Sequence, residues 1–185
     1  MEEKKNTRGR FLLSLLVSSL IAFAITLYFE KGDSITRKGA FRQHLEQLEF
    51  KGTYHDLKVV SEKEAGQQYL LLYTYMNKDG KNQIGLAIYK KMNALPLYEL
   101  NSINDSPQLS AGTDFLHTNQ FIVYGDRDKM GADYITYREN IQFKRLELEE
   151  NDYFIHIEPY EGMLHVPQVN FYSSDGKIVG STQAK

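Results

Sequence analysis

Residues 11–29 form an unbroken apolar segment, FLLSLLVSSLIAFAITLYF, without a charge, a proline or a glycine. A helix rises about 1.5 Å per residue, so this segment spans roughly 28 Å, close to the thickness of a bilayer's hydrocarbon core. Its hydroxyl groups, at Ser14, Ser18, Ser19 and Thr26, are expected to bond to carbonyls of the preceding turn. The segment has no strong polar stripe, so the sequence predicts a transmembrane helix embedded in a lipid bilayer.

The end of this segment favours an anchor over a cleaved signal peptide. A basic tail, residues 1–10, precedes it, and Ala22-Phe23-Ala24 matches the small-x-small cleavage pattern. However, the apolar segment continues beyond this site to Phe29, whereas a cleavable signal usually becomes more polar before the cut. We therefore expect an uncleaved signal anchor, and a secreted domain released by cleavage near Ala24 stays the alternative.

Four basic residues precede the segment and four lie within about 15 residues after it, so these charges do not by themselves orient it. A long C-terminal domain translocates largely regardless of its own charge, so we place the N-terminus inside and the C-terminal domain outside the cell membrane. The predicted organisation has four parts: a cytoplasmic tail (1–10), the transmembrane helix (11–29), a stalk or short amphipathic helix (30–52), and an extracytoplasmic β-rich domain (53–185).

Composition excludes several classes of protein. With 22 basic against 24 acidic residues, the chain lacks the positive charge of a nucleic-acid binder. It has no cysteine, which excludes disulfides, a thiol nucleophile and cysteine-ligated metals. It also lacks the glycine-rich phosphate loops and the G-x-S-x-G elbow, so the sequence predicts no catalytic residue and no cofactor.

A short amphipathic helix is predicted after the apolar segment. Phe41, Leu45 and Leu48 recur at helical spacing, with polar residues between them. Gly52 ends the pattern. We expect this apolar stripe to pack on the following domain.

From residue 53 onward the pattern predicts about nine short strands. Residues 68–76 and 83–90 flank a polar turn containing Asp79-Gly80, and they predict a central hairpin covered on both faces. Pro96 predicts an edge strand at 95–100, and residues 101–112 have the composition of an exposed loop. The remaining strand candidates are 54–60, 120–124, 133–138, 141–148, 152–158, 165–172 and 177–179. The predicted fold class is mainly β, with a single antiparallel β-sandwich or open barrel.

Two histidines and an acid are weak candidates for a metal site. In strand 152–158, His156 and Glu158 share a face with Phe154, opposite Ile155 and Ile157. If 152–158 pairs with 165–172, His165 approaches His156, and two imidazoles with a carboxylate can hold zinc. The sequence does not fix this register, so surface histidines on a half-exposed strand are the simpler interpretation.

Two further clusters are open to a functional interpretation. Asp126, Asp128 and Asp133 alternate as calcium ligands do, but their spacing departs from the EF-hand pattern and favours a plain loop between strands. Tyr69, Tyr73 and Tyr75 share one face of a strand; exposed, they would form an aromatic platform for a ligand. The apolar residues around them favour a covered face.

Taken together, these patterns favour a membrane-anchored, non-catalytic binding or accessory module of the cell envelope, with an envelope protein or ligand as partner. Two alternatives remain. One is an extracytoplasmic hydrolase, with or without a bound metal, that uses His156 and His165 with an acid. The other is a structural membrane protein whose helix associates with others through Ser14, Ser18 and Ser19.

Overall fold

The computed structural model describes residues 3–31, 34–49, 55–93, 95–106, 110–117, 119–139, 141–160 and 166–182. The chain divides into two compact units, Met1–Ile35 and Thr36–Lys185. Its elements are, in order, α1 (Glu3–Lys31), β1 (Ile35–Thr36), α2 (Phe41–Glu49), β2 (His55–Ala65), β3 (Gln68–Met76), β4 (Asn82–Lys91), β5 (Tyr98–Ser106), β6 (Ala111–His117), β7 (Gln120–Asp126), α3 (Arg127–Met130), β8 (Tyr134–Glu139), β9 (Gln142–Glu147), β10 (Tyr153–Pro159), β11 (Val169–Tyr172) and β12 (Ile178–Ser181).

The first unit consists mainly of α1. Within this helix the side chains described are those of residues 10, 12–24 and 26. Ser18 Oγ donates to the carbonyl of Ser14 at 2.8 Å, and Thr26 Oγ1 donates to that of Ala22 at 3.0 Å, as expected for hydroxyls in an apolar helix. Over the residues that the structure describes, no helix combines the length and the apolarity that crossing a membrane requires.

The second unit is mainly β and is built from three antiparallel sheets. The first sheet has the order β1-β5-β4-β3-β2, the second β10-β7-β6, and the third β12-β11-β8-β9. The expected hairpin is confirmed: β3 pairs with β4 in unbroken register from Gln68–Lys90 to Met76–Asn82, and both strands are interior to their sheet.

Three apolar clusters hold these sheets and α2 in layers. The first lies between α2 and one face of the first sheet, the second between the other face of that sheet and the second sheet, and the third between the second and third sheets. Strand β7 shows the alternation that this stacking needs. Ile122 and Tyr124 face the first sheet, while Phe121 and Val123 face the third.

Helix α2 covers the first sheet with one face, as its sequence predicts. Phe41 and Leu45 are buried against the aromatic side of the sheet. The Phe41 ring lies 4.8 Å from that of Tyr69 and 4.6 Å from that of Tyr89, centroid to centroid. The helix therefore belongs to the β-rich unit, which covers Phe41 and Leu45, whereas the side chain of Leu48 lies outside the described residues.

The prediction of an exposed loop at 101–112 is wrong for most of its length, because β5 continues to Ser106 and β6 begins at Ala111. The polar residues of this segment find partners inside the fold. Asn104 donates its side-chain amide to Asp114, and Asp105 Oδ1 accepts from Tyr73 OH at 2.9 Å. Composition predicted a loop because these pairings join residues distant in sequence.

The edge-strand prediction at 95–100 is also wrong. Strand β5 begins at Tyr98, which pairs with Lys91, and it lies between β1 and β4. Pro96 precedes the first pair of the ladder, so its missing N–H removes no hydrogen bond from the sheet.

Candidate binding surface on the third sheet

The outer face of the third sheet is the face turned away from the second sheet. In the β8–β9 register Ile135 lies opposite Leu146, and both pack toward the core. The intervening positions therefore lie on the outer face. These outer positions are Tyr134, Thr136, Arg138, Phe143, Arg145 and Glu147, continued across β11 by Asn170 and Tyr172.

Among the strands that the structure describes, β9 is a free edge of this sheet, because β8 is its one neighbour in the strand order. The backbone N–H of Leu148 donates to the carbonyl of Asp133 at 2.8 Å. Hydrogen-bonded pairs alternate along an antiparallel ladder, so Gln142, Lys144 and Leu146 are directed to β8. The N–H and C=O groups of the odd positions, 143, 145 and 147, are directed to the open side.

Two large apolar side chains are exposed at this edge. Ile141, next to the β8–β9 turn, is 84% exposed, and Phe143 on β9 is 74% exposed. Ile178 and Val179, on the opposite edge strand β12, are exposed to a smaller degree. Large apolar groups on an open strand edge are typical of surfaces that pair with another strand.

A row of flat side chains crosses the outer face beside this edge. The rings of Tyr134 and Tyr172 stack with centroids 4.9 Å apart and planes 1° from parallel. The guanidinium carbon of Arg145 lies 3.6 Å from the centroid of the Tyr134 ring. This row connects β9, β8 and β11, and the cation–π contact stabilises the position of the Arg145 side chain.

The charges of β9 are paired within their own hairpin. Arg145 Nε donates to Glu147 Oε1 at 2.7 Å, and this hydrogen bond raises the pKa of the guanidinium above its usual value. Lys144 forms an ion pair with Glu139 of β8. The two cations nevertheless occupy adjacent positions in the middle of the strand.

The strand pairing that the metal-site hypothesis requires is not found among the described strands. Strand β10 pairs with β7, placing His156 opposite Val123 and Glu158 opposite Phe121. The described part of 165–172 forms β11, which pairs with β8 and β12 in a different sheet. The structure thus overturns the expected pairing, and His165 itself lies outside the described residues.

His156 and Glu158 share the face of β10 that carries Phe154, as predicted, and this face packs on the third sheet. The Nε2 atom of His156 is buried without a hydrogen-bond partner among the described residues. Burial, and secondly the charge of Lys63, lower the pKa of His156. A neutral imidazole is the form that this site favours.

Glu158 accepts from the hydroxyl of Tyr137 at 3.4 Å. Burial, with the nearby charges of Glu158 and Glu139, raises the pKa of Tyr137 well above its usual range. Across the described part of the chain, no three histidine or acidic side chains come close enough to hold a metal ion.

The aspartate cluster has a structural role. Asp126 is the N-cap of α3, and its Oδ1 accepts from the backbone N–H of Lys129 at 2.9 Å. Arg127 forms an ion pair with Asp133 at 2.9 Å between Nη2 and Oδ1. These carboxylates have protein partners, which agrees with the interpretation as a connection between strands.

The tyrosine face of β3 is covered. Tyr73 and Tyr75 are buried, and they belong to the cluster under α2 together with the half-buried Tyr69. The aromatic platform on this strand is therefore core, as the surrounding apolar residues predicted.

The sequence predicted a strand at 141–148 but no binding function for it. A signal was present, because neither face of this strand is continuously apolar: Ile141 and Phe143 share a face with Arg145 and Glu147. Such mixed faces are typical of an edge strand.

Comparisons of the chain with protein-family models, curated proteins and solved structures found no match.

Proposed function

We propose that this protein is a single-pass membrane protein whose β-rich unit is a non-catalytic binding module on the outer side of the cell membrane. The observation that carries the proposal is the free edge of β9 with its exposed Phe143 and Ile141. The module would hold an envelope partner at this edge.

The composition of residues 11–29 supports the anchor. This uncharged segment lies entirely inside α1, and the large apolar side chains described there are exposed. An uncharged apolar segment of 19 residues is about as long as the hydrocarbon core of a bilayer is thick, and the same segment would associate in water. The basic tail before it and the long domain after it support an inside N-terminus.

The exposure of Phe143, in contrast to the burial of most other aromatic side chains of the β-rich unit, supports the binding function. Most of its aromatic side chains pack between layers, including Phe121, Phe154 and Phe171, which are buried. Phe143 instead projects from an edge strand whose backbone groups face the open side. A partner strand would satisfy those groups and cover the ring in a single event.

Protease accessibility on intact spheroplasts tests the anchor. A C-terminal tag is followed by immunoblot before and after protease is added. We expect a full-length, membrane-bound protein whose tag is removed by the protease. A protected tag would overturn the orientation, and a shortened, released protein would mean cleavage near Ala24.

Site-specific photo-crosslinking in living cells tests the binding module. A photo-reactive amino acid replaces Phe143 in one strain and Lys78, in the exposed β3–β4 turn, in the control strain. We expect a discrete crosslinked protein from position 143 and none from position 78. The binding proposal fails when position 143 gives no adduct, or when both positions give the same adducts.

A further inference from the structure

We infer that the free edge of β9 receives an extended acidic segment of a partner protein as an added strand, with an apolar residue of that segment against Phe143. This inference rests on the proposed function and specifies the chemistry of the partner. It is carried by three features of β9: its outward backbone groups, its exposed ring and the sign of the charges at its centre.

The outward backbone groups supply the pairing. Leu148 bonds back to Asp133, so the alternation of the ladder directs the N–H and C=O groups of Phe143, Arg145 and Glu147 to the open side. The side chains of these same three residues lie on the outer face. A strand added at this edge would therefore bring its own side chains next to theirs.

The exposed ring supplies the apolar contact. Phe143 lies opposite Arg138 on the β8 side and has an open flank on the other side. An apolar side chain on the added strand would cover this flank. Ile141 extends the apolar surface toward the turn.

The positive charges of Lys144 and Arg145, in the middle of β9, disfavour pairing of this edge with the same edge of a second copy of the chain. A two-fold axis perpendicular to a continuous sheet places one residue of the edge strand opposite itself. For β9, the alignments with the longest overlap centre on Lys144 or on Arg145. Each would put like charges directly opposite, which destabilises a strand pair.

The same charges favour an acidic segment. From Arg138 to Glu147 the hairpin has three basic and two acidic residues, and two of the basic ones are adjacent in β9. Lys144 and Arg145 form ion pairs with Glu139 and Glu147. Both of these acids belong to the hairpin and are already included in the count of its charges. A carboxylate of the added strand opposite Arg145 would give this guanidinium a second carboxylate partner beside Glu147.

The test uses the full chain in phosphatidylcholine nanodiscs and short fluorescein-labelled peptides. One peptide carries a valine and, two positions along, a glutamate, so that both lie on the same face of a strand, with threonine at the other positions. A second has lysine in place of the glutamate, and a third is the glutamate peptide with a central proline, which cannot join a ladder. Fluorescence anisotropy should show binding of the glutamate peptide about tenfold tighter than that of the lysine peptide, because the charge pair with Arg145 changes from attractive to repulsive. The proline peptide should not bind.

Charge variants connect this binding to β9. Lys144→Glu with Arg145→Glu should reverse the preference, and Lys144→Gln with Arg145→Gln should abolish it with less strain on the fold. Lys81→Glu, in the exposed β3–β4 turn, is the matched control and should change nothing. Circular dichroism checks that each variant is folded.

Every other outcome overturns the inference. Equal binding of both charged peptides would exclude a role for Lys144 and Arg145. A concentration-dependent dimer that Phe143→Asp abolishes would make a second copy the occupant. No peptide binding, together with a persisting crosslink from position 143, would overturn the acidic strand and leave the proposed function standing. If neither peptide binding nor the crosslink from position 143 is found, both this inference and the proposed function are overturned.

Discussion

The guanidinium of Arg145 lies over the ring of Tyr134, with 3.6 Å between Arg145 Cζ and the ring centroid. Tyr134 in turn stacks on Tyr172, so the three side chains form one row across β9, β8 and β11. For the proposed strand addition, such a row would favour the extended conformation of β9 in the absence of the partner. Preorganisation of this kind lowers the ordering entropy that strand addition costs.

The Tyr134–Tyr172 stack should contribute to stability through its rings. Tyr172→Ala removes one ring and should lower the free energy of unfolding by about 1 kcal/mol, a usual value for an aromatic pair. Tyr172→Phe keeps the ring and should stay close to wild type. Urea denaturation of the full chain in detergent, followed by circular dichroism, measures both; an equal loss in the two variants would contradict the role of the stack.

Gly85 leaves space that the ring of Tyr73 occupies. A Cβ atom at this position would lie 2.5 Å from Tyr73 OH and 2.7 Å from Asp105 Oδ1. Gly85→Ala must therefore displace a buried ring and break the Tyr73–Asp105 hydrogen bond. We expect a loss of about 1–3 kcal/mol in the free energy of unfolding, as for other overpacked cores.

Gly180 is the matched control for this substitution. It also lies in a strand, but a Cβ atom there would be 3.8 Å from the nearest Phe171 ring atom, an ordinary contact. Gly180→Ala should change the midpoint of urea denaturation little. If both alanine variants are equally destabilised, the cause is the strand backbone and not the Tyr73 ring.

The local parts of this fold were predictable because their signals lie within short stretches of sequence. Apolar residues on both faces of 68–76 and 83–90, joined by Asp79-Gly80, predicted a hairpin interior to a sheet. The spacing of Phe41, Leu45 and Leu48 predicted a helix packed on the domain, and Phe41 and Leu45 do pack on the first sheet. In each of these cases the residues that decide the structure are neighbours along the chain.

The sheet order was not predictable, because it depends on contacts between distant residues. β7 pairs with β10, although α3, β8 and β9 lie between them in the sequence, and this pairing places His156 in a different sheet from the strand β11. The segment around Asn104 has the polar composition of a loop, and only the fold shows that Asn104 donates to Asp114. The edge position of β9 was not predictable for the same reason, because the strand order decides which strand lies at an edge.

The hydroxyl of Tyr89 is a hydrogen-bond partner of the buried His44, with 2.9 Å between Tyr89 OH and His44 Nδ1. Tyr89→Phe removes this hydrogen bond under α2 and should cost about 1 kcal/mol of stability. Tyr98→Phe is the control, because the Tyr98 ring packs in the same cluster against Phe41. Denaturation curves of the two variants compare them; a Tyr98→Phe loss as large as that of Tyr89→Phe would assign the effect to packing.

The buried face of His156 predicts a loss of stability on the acidic side of neutrality. Burial and the Lys63 charge lower its pKa from an ordinary value of 6.5, while Glu149 acts in the opposite direction. In the unfolded chain the imidazole therefore takes up its proton at a higher pH than in the folded protein. The stability that the neutral His156 contributes is fully present above its pKa in the unfolded chain. It is lost as the pH decreases from that value to the pKa of His156 in the folded protein.

His156→Gln tests this prediction, because glutamine stays neutral over the whole range. The free energy of unfolding, measured from about pH 7.5 to about pH 5, should fall more steeply for wild type than for the variant. Lys63→Met should raise the pKa of His156, which NMR titration of the ring protons follows directly. Parallel pH profiles for wild type and His156→Gln would mean that this imidazole titrates at the same pH in the folded and unfolded states.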